Sequence, residues 1–196
     1  MILLQSLMES NDIESHLKER GLDPSKTHVI MDKKDNIAVF LLYNLSGQLV
    51  GYQRYNPSGQ KTHSKDKLAQ DLEKYYTYVT KEGKVPKLAV WGLETIKEST
   101  SFFFITEGIF DCIKIHNAGY PGIAVLANNP KPLRGWFAAM HKVTIAITDN
   151  DAAGAKLKNL ATMFEIVPSP YKDLGEMPQA EATKFIKSVV KAKLHR

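Results

Sequence analysis

Three acidic clusters stand where an apolar run gives way to a loop. Glu107 follows "SFFFIT", Asp149 and Asp151 follow "VTIAIT" as a D-x-D, and Asp173 lies with Glu176 in "PYKDLGE" after "EIVPS". Two aspartates one residue apart repel unless something positive sits between them. Magnesium is the cation that fits, because it is hard, prefers oxygen, keeps several waters and is commonly held by one or two carboxylates plus substrate phosphates. On a nucleoside triphosphate or phosphodiester it neutralises charge and orients an in-line displacement. Each residue also has a plainer reading. Asp151 can be the N-cap of a helix opening at Ala152, with Asp149 a loop residue. Asp111, one turn into its helix, either complements the helix dipole or supports the acidic group from behind. A calcium loop fails, since Ala153 and Leu160 stand at its fifth and twelfth positions. Cys112 and His116 read as packing residues. No G-x-G-x-x-G, G-x-x-x-x-G-K-[ST] or G-x-S-x-G is present, which argues against dinucleotide binding, a P-loop ATPase and an α/β-hydrolase.

Such carboxylates work together only if the fold brings them to one rim. From Ser99 onward, apolar strands alternate with helices. The strands read "SFFFIT", "GIAVLAN", "VTIAIT" and "EIVPS", and the helices "GIFDCIKIHNAG", "PLRGWFAAM" and "AAGAKLKNLATMF". Strands apolar on both faces and separated by helices predict a parallel sheet covered on both sides. Functional groups then gather at the carboxyl ends of its strands. A last helix is expected over 179–194, with Phe185, Ile186, Val189, Val190 and Leu194 inward and a solvated row of Lys184, Lys187 and Lys191.

The first 98 residues read differently. "DIESHLKERGL" is a short helix stopped by Gly21 and Pro24, and "IAVFLLYNLSGQLVGYQRY" is a hairpin turning at Asn-Leu-Ser-Gly. Alternation along its second strand puts Val50, Tyr52 and Arg54 on one face and Leu49, Gln53 and Tyr55 on the other. A polar loop, a short helical piece near 68–72, the aromatic strand "KYYTYVT" and the segment "LAVWGLETI" follow. The expected domains are therefore a basic α+β subdomain over 1–98 and an α/β domain with a C-terminal helix over 99–196.

Composition narrows the function class. The chain has 196 residues, a net charge of +5 and a single cysteine, so no internal disulfide forms and no structural zinc site has its ligands. A reducing cytoplasm fits, with no signal peptide in Met1 to Leu7 and no apolar stretch near the roughly 20 residues that span a bilayer. The basic excess is mainly C-terminal: 12 Lys and Arg against 8 Asp and Glu from Ser99 onward, and 14 against 13 before it. That balance leans toward an anionic partner.

The ordered set "EGIFD", "DNDAAG" and "KDLGE", each after a strand, resembles the Toprim domain of primases, topoisomerases and related nucleases. The match runs over roughly 99–177. The resemblance assigns Glu107 to the family's strand-end glutamate, Asp111 to the aspartate of E-G-x-x-D, and Asp149 and Asp151 to the D-x-D. Gly154 takes the place of the helix glycine and Asp173 that of the later acid. Upstream, "GQLVGYQRY", "KYYTYV" and "WGLETI" are similar to the strand, K-Y and Y-G-L motifs of the bacterial and phage DNA primase core, whose opening "HLKERGLD" also resembles.

The resemblance implies a Toprim fold, a parallel sheet flanked by helices, preceded by a small mixed α+β basic subdomain. It implies metal-dependent synthesis of short RNA primers on single-stranded DNA, with Glu107, Asp149 and Asp151 catalytic. Together with Asp173 these would bind one or two Mg²⁺ (or Mn²⁺) ions, with Asp111, Gly108 and Gly154 in support. Arg54 and Lys74 would face nucleic acid or an incoming nucleoside triphosphate across a cleft from the carboxylates. Lys61, Lys65 and Lys67 would track the template, and Tyr52, Tyr75 and Tyr76 either stack on bases or belong to a core. A zinc-binding module and a helicase part, usual in such primases, are missing from the pattern. A stand-alone core of the kind phages and plasmids carry is therefore expected, its template chosen by a separate protein or a replicative helicase. Two rivals remain: a Toprim nuclease in which Glu107 activates water, and a non-catalytic nucleic-acid-binding replication module. A topoisomerase is not expected, since the nucleophilic tyrosine of that branch sits in additional domains for which 196 residues leave no room.

Overall fold

The computed structural model describes residues 12–61, 73–83, 85–86, 88–126, 131–150 and 155–194. They form two compact units, one of residues 1–41 with 52–78, the other of 42–51 with 79–196.

In the first unit, helix α1 (Ile13–Glu19) opens on Asp12, whose side chain accepts the Ser15 N–H at 2.9 Å, an N-cap that satisfies one orphan donor. Ile13 and Leu17, one turn apart, are its buried stripe. Gly21, at φ +84°, ends the turn in the left-handed region where a side chain would be strained. Strands β1 (Val29–Asp32), β2 (Ile37–Tyr43), β3 (Leu49–Tyr55) and β4 (Tyr75–Val79) form a sheet in that order. Asn44 builds the β2–β3 turn, its Oδ1 accepting from the N–H of Ser46 and Gln48. Along β3 the expected faces are kept from Tyr52 onward, with Gln53 and Tyr55 buried and Tyr52 and Arg54 half-buried, while at the start of the strand Val50 is buried and Leu49 exposed.

In the second unit, short strands β5 (Lys81–Glu82) and β6 (Val85–Pro86) pair with each other, and β7 (Phe102–Thr106), β8 (Gly122–Ala124), β9 (Val143–Thr148) and β10 (Met163–Ile166) form a four-stranded sheet. Its order is β10-β9-β7-β8 and its pairs are all parallel. Helices α2 (Ile109–Asn117), α3 (Arg134–Ala139), α4 (Ala155–Lys158) and α5 (Gln179–Leu194) supply the outer layers. On one face Phe104, Ile145 and Ile147 pack with Ile115 of α2 and with Ala182, Ile186, Val189 and Val190 of α5. On the other, Phe103, Ile105 and Ala146 pack with Phe137 of α3 and Leu157 of α4. Neighbouring strand residues thus enter opposite cores, which is why these strands are apolar throughout. The fold class read from the sequence is the one observed, a parallel sheet flanked by helices after a smaller mixed α and β portion.

Three expectations need correction. The helix expected over 152–164 is described only at Ala155–Lys158, and the next strand starts at Met163 rather than Glu165. Register with β9, from Met163 against Ile145 to Ile166 against Thr148, outweighs the helical spacing of those apolar residues. Among the described residues of "GIAVLAN" only Gly122–Ala124 form strand β8; the Val125 N–H still donates to the Thr106 carbonyl, and Leu126 turns to φ +53°. Phe185 and Leu194, expected inward on α5, are partly buried against the core that Ala182 joins. The α5 lysines 184, 187 and 191 are exposed as expected. Cys112 is buried, and the His116 ring stacks on Trp91 at 5.3 Å while its Nε2 donates to the Gly122 carbonyl at 2.9 Å, so both are packing residues.

Candidate active site and nucleic-acid interface

The chain leaves β7 through α2 to β8 on one side, then crosses back to β9 on the other. The strand order therefore reverses between β7 and β9, and the carboxyl ends of two such strands frame the crevice where open α/β sheets bind ligands. Register sets the two acids side by side: Ile105 pairs with Ala146, placing Glu107 two residues past one partner and Asp149 three past the other. Adjacent strands run about 4.8 Å apart, so both loops leave from one short rim.

Glu107 and Asp149 are both half-buried. The Glu107 carbonyl accepts the Leu126 N–H at 3.0 Å, and the Asn150 N–H donates to the Lys172 carbonyl at 3.0 Å. The second bond ties the D-x-D loop to the loop carrying Asp173. Asp173 caps the short 3-10 turn Leu174–Glu176, its Oδ1 accepting the Glu176 N–H at 2.9 Å.

Asp111 joins these loops from beneath. Its Oδ1 accepts the Gly175 N–H at 2.7 Å, and its Oδ2 accepts the Gly108 N–H at 3.2 Å at the start of α2. Burial, then the negative charges of Asp173 and Asp149, push its carboxyl up to about 7, against the pull of the two N–H groups. Asp111 thus caps the start of α2 and clamps the 173–176 turn to the helix that follows Glu107. Gly175 was not foreseen, because a backbone donor leaves no mark on residue type. A Cβ at Gly108 would lie 2.7 Å from Asp111 Oδ2, so this glycine is needed for close approach. Gly108→Val is expected to break that clamp and cost about 1–3 kcal/mol, readable as a lowered midpoint in urea unfolding.

Asp173 and Asp149 both lie near enough to Asp111 for their negative charges to help raise its carboxyl. Hard carboxylate oxygens in such a neighbourhood suit a divalent cation that keeps most of its waters. Among the described residues no group of three His, Cys, Asp and Glu side chains forms a ready-made cage. Asp151 and Gly154 lie outside the described residues.

The first unit holds a separate basic group. Arg20 and Lys61 stand near enough to Lys74 that, after burial, their positive charges help depress its ammonium pKa. Arg20 donates from Nη1 to the Tyr55 hydroxyl at 3.4 Å, and His16 Nε2 is 2.7 Å from the same hydroxyl. Burial and then Arg20 lower the His16 pKa. Arg54 lies with its guanidinium carbon 5.6 Å from the centre of the Tyr76 ring. Lys61 thus lies near Lys74, while Lys65 and Lys67 lie outside the described residues. Arg20 was missed, although "HLKERGLD" had been marked, because an arginine in a helical turn reads as a solvated charge.

No family model matches the chain. It is 35% identical over 107 residues to the DNA primase of Thermotoga maritima, covering 49% of this chain and 19% of that protein. The zinc-binding and RNA polymerase domains of the Aquifex aeolicus primase superpose with a TM-score of 0.55 at 19% identity, over 97% of this chain and 48% of that one. The E. coli primase catalytic core superposes at 0.56 and 14% identity, over 90% and 63%. The fold is that of primase catalytic cores, and the chain spans about a fifth of the length of the curated relative it matches.

Proposed function

We propose that this chain is a primase-type RNA polymerase core that makes short RNA primers on single-stranded DNA. The observation that carries the reading is the placing of Glu107 and Asp149 at the adjoining carboxyl ends of β7 and β9, at the switch point of a sheet shaped like primase cores. Glu107, Asp149 and Asp151, with Asp173 nearby, would hold one or two Mg²⁺ or Mn²⁺ ions, which when bound draw charge from the triphosphate and orient the attacking 3′-hydroxyl. The Asp111 bonds to Gly108 and Gly175, with the Asn150–Lys172 bond, hold these loops together, so the acids would meet such an ion with little reorganisation. Gly154 would let the helix after the D-x-D approach. Arg54, Lys74 and Lys61, with Lys65 and Lys67, would neutralise template and nucleotide phosphates.

The template, nucleoside triphosphates and a helicase or template-reading protein are the partners this reading requires. The setting is replication in a bacterial cytoplasm, of the phage or plasmid kind. Among the described residues no helix is long and apolar enough to cross a membrane. The test is direct. Single-stranded DNA, labelled ribonucleotides and Mg²⁺ or Mn²⁺ should yield short labelled RNA. Cleavage of a supercoiled plasmid without nucleotides would instead establish the nuclease, and neither product would leave only a binding module.

A further inference from the structure

Alternation along β3 and β4 divides the tyrosines of the first unit into two sets. Tyr55, fully buried, and Tyr75, 5.2 Å from it ring to ring, join His16 and Arg20 of α1. Tyr52, Tyr76 and Tyr78 form a second group. Tyr52 stacks on Tyr78 at 5.6 Å with a 29° tilt, and stands 6.3 Å from Tyr76, over which Arg54 lies. Tyr78 is 46% exposed, and Tyr52 and Tyr76 are half-buried.

A core does not need this arrangement. Three phenol rings and a guanidinium on one side of a sheet, left partly open to solvent, offer π-faces already held in place. Their two side-chain torsions are restrained by mutual contact, so little entropy is lost when another flat ring is laid on them. Arg54, with Lys61 and Lys74 in the same unit, supplies the charge a phosphate backbone would meet.

We infer that Tyr52, Tyr76 and Tyr78, with Arg54, form a stacking platform for unpaired bases of single-stranded nucleic acid. The inference rests on the nucleic-acid reading above and adds which side chains touch the bases and that contact is made through π-faces. A duplex, with its bases stacked on each other, does not present them and gains nothing from the platform. Sequence preference on the platform is slight, since every base has a face to offer.

The test uses the full chain, an oligodeoxythymidine carrying one 2-aminopurine, the same strand with abasic sites, and its duplex. Tyr78→Leu is expected to weaken binding to the single strand about tenfold and the Tyr52→Leu/Tyr78→Leu pair about a hundredfold. The salt slope stays unchanged, whereas Lys74→Ala lowers it by about one. Tyr52→Phe and Tyr78→Phe keep the ring and should bind as the unaltered chain does. Quenching of 2-aminopurine on binding should disappear in the leucine pair, a signature that a packing role would not move. Abasic and duplex ligands should bind the leucine pair and the unaltered chain equally. Equal single-strand affinity and equal quenching in the leucine pair would overturn the platform alone. Absence of any single-strand binding by the unaltered chain would overturn the platform together with the functional reading.

Discussion

Glu107→Gln and Asp149→Asn are each expected to lower primer synthesis about a thousandfold while leaving the melting temperature unchanged or slightly raised. Both exchanges keep shape and remove one negative oxygen at the β7–β9 switch point. An amide oxygen coordinates a hard divalent ion far more weakly than a carboxylate, and ion-borne charge stabilisation supplies several kcal/mol of transition-state binding. At about 1.4 kcal/mol per decade, that is the stated loss. Stability should not fall, because the folded protein confines these like charges and the unfolded chain does not. Asp149→Asn carries an independent marker: with one of its two neighbouring charges gone, the Asp111 carboxyl should titrate lower, which carbon-13 NMR of the side chain reads without any assay. Primer yields within tenfold of the unaltered chain at saturating Mg²⁺ would remove these acids from the catalytic group.

The second large effect concerns pH and lies in Asp111. Its folded-state value near 7 stands above the ordinary 3.8, so between these limits the folded protein keeps a proton that the unfolded chain has released. The number of bound protons is then larger in the native state, and stability must fall as pH rises. The contribution is fully present below about pH 4 and is lost as pH passes 7, with a slope of at most about 1.4 kcal/mol per unit. A total of about 2–4 kcal/mol is expected from this residue across the window in metal-free buffer. Asp111→Asn keeps an oxygen for the Gly175 N–H and gives up the bond from Gly108, a loss of about 1 kcal/mol. The asparagine variant should therefore be less stable at pH 4.5, more stable at pH 8 and nearly flat between. Urea unfolding at five pH values reads this crossing, and parallel curves for the two proteins would show that Asp111 is not held protonated by its surroundings.

How much of this was legible beforehand depends on the range of the interaction. Glu107 and Asp149 stood out because an apolar strand followed at once by an acid is a local pattern. The fully apolar "FFFI" and "TIAI" declared a two-faced parallel sheet for the same reason. The short strand at Met163 was misplaced because its four residues satisfy helical and extended spacing equally, and only pairing with β9 decides. On β4, Tyr76 and Tyr78 share one face by plain alternation and Tyr75 takes the other, against Tyr55, but which of the two faces is covered is a matter of what packs there and not of spacing.

The amino-acid order by itself determined the kinds of chemistry available: carboxylates at strand ends, an aromatic N-terminal portion, one cysteine and no phosphate-cradling glycine loop. Composition and short-range periodicity are properties of neighbours along the chain, and they survive without a fold. The tertiary structure alone decided that β8 leaves to one side, so that β7 and β9, some forty residues apart in sequence, lie edge to edge and bring Glu107 beside Asp149. It alone seated Asp111 between Gly108 and Gly175. Those placements arise from burying Phe104 and Phe103 against different helices, a long-range packing choice that no window of a few residues contains.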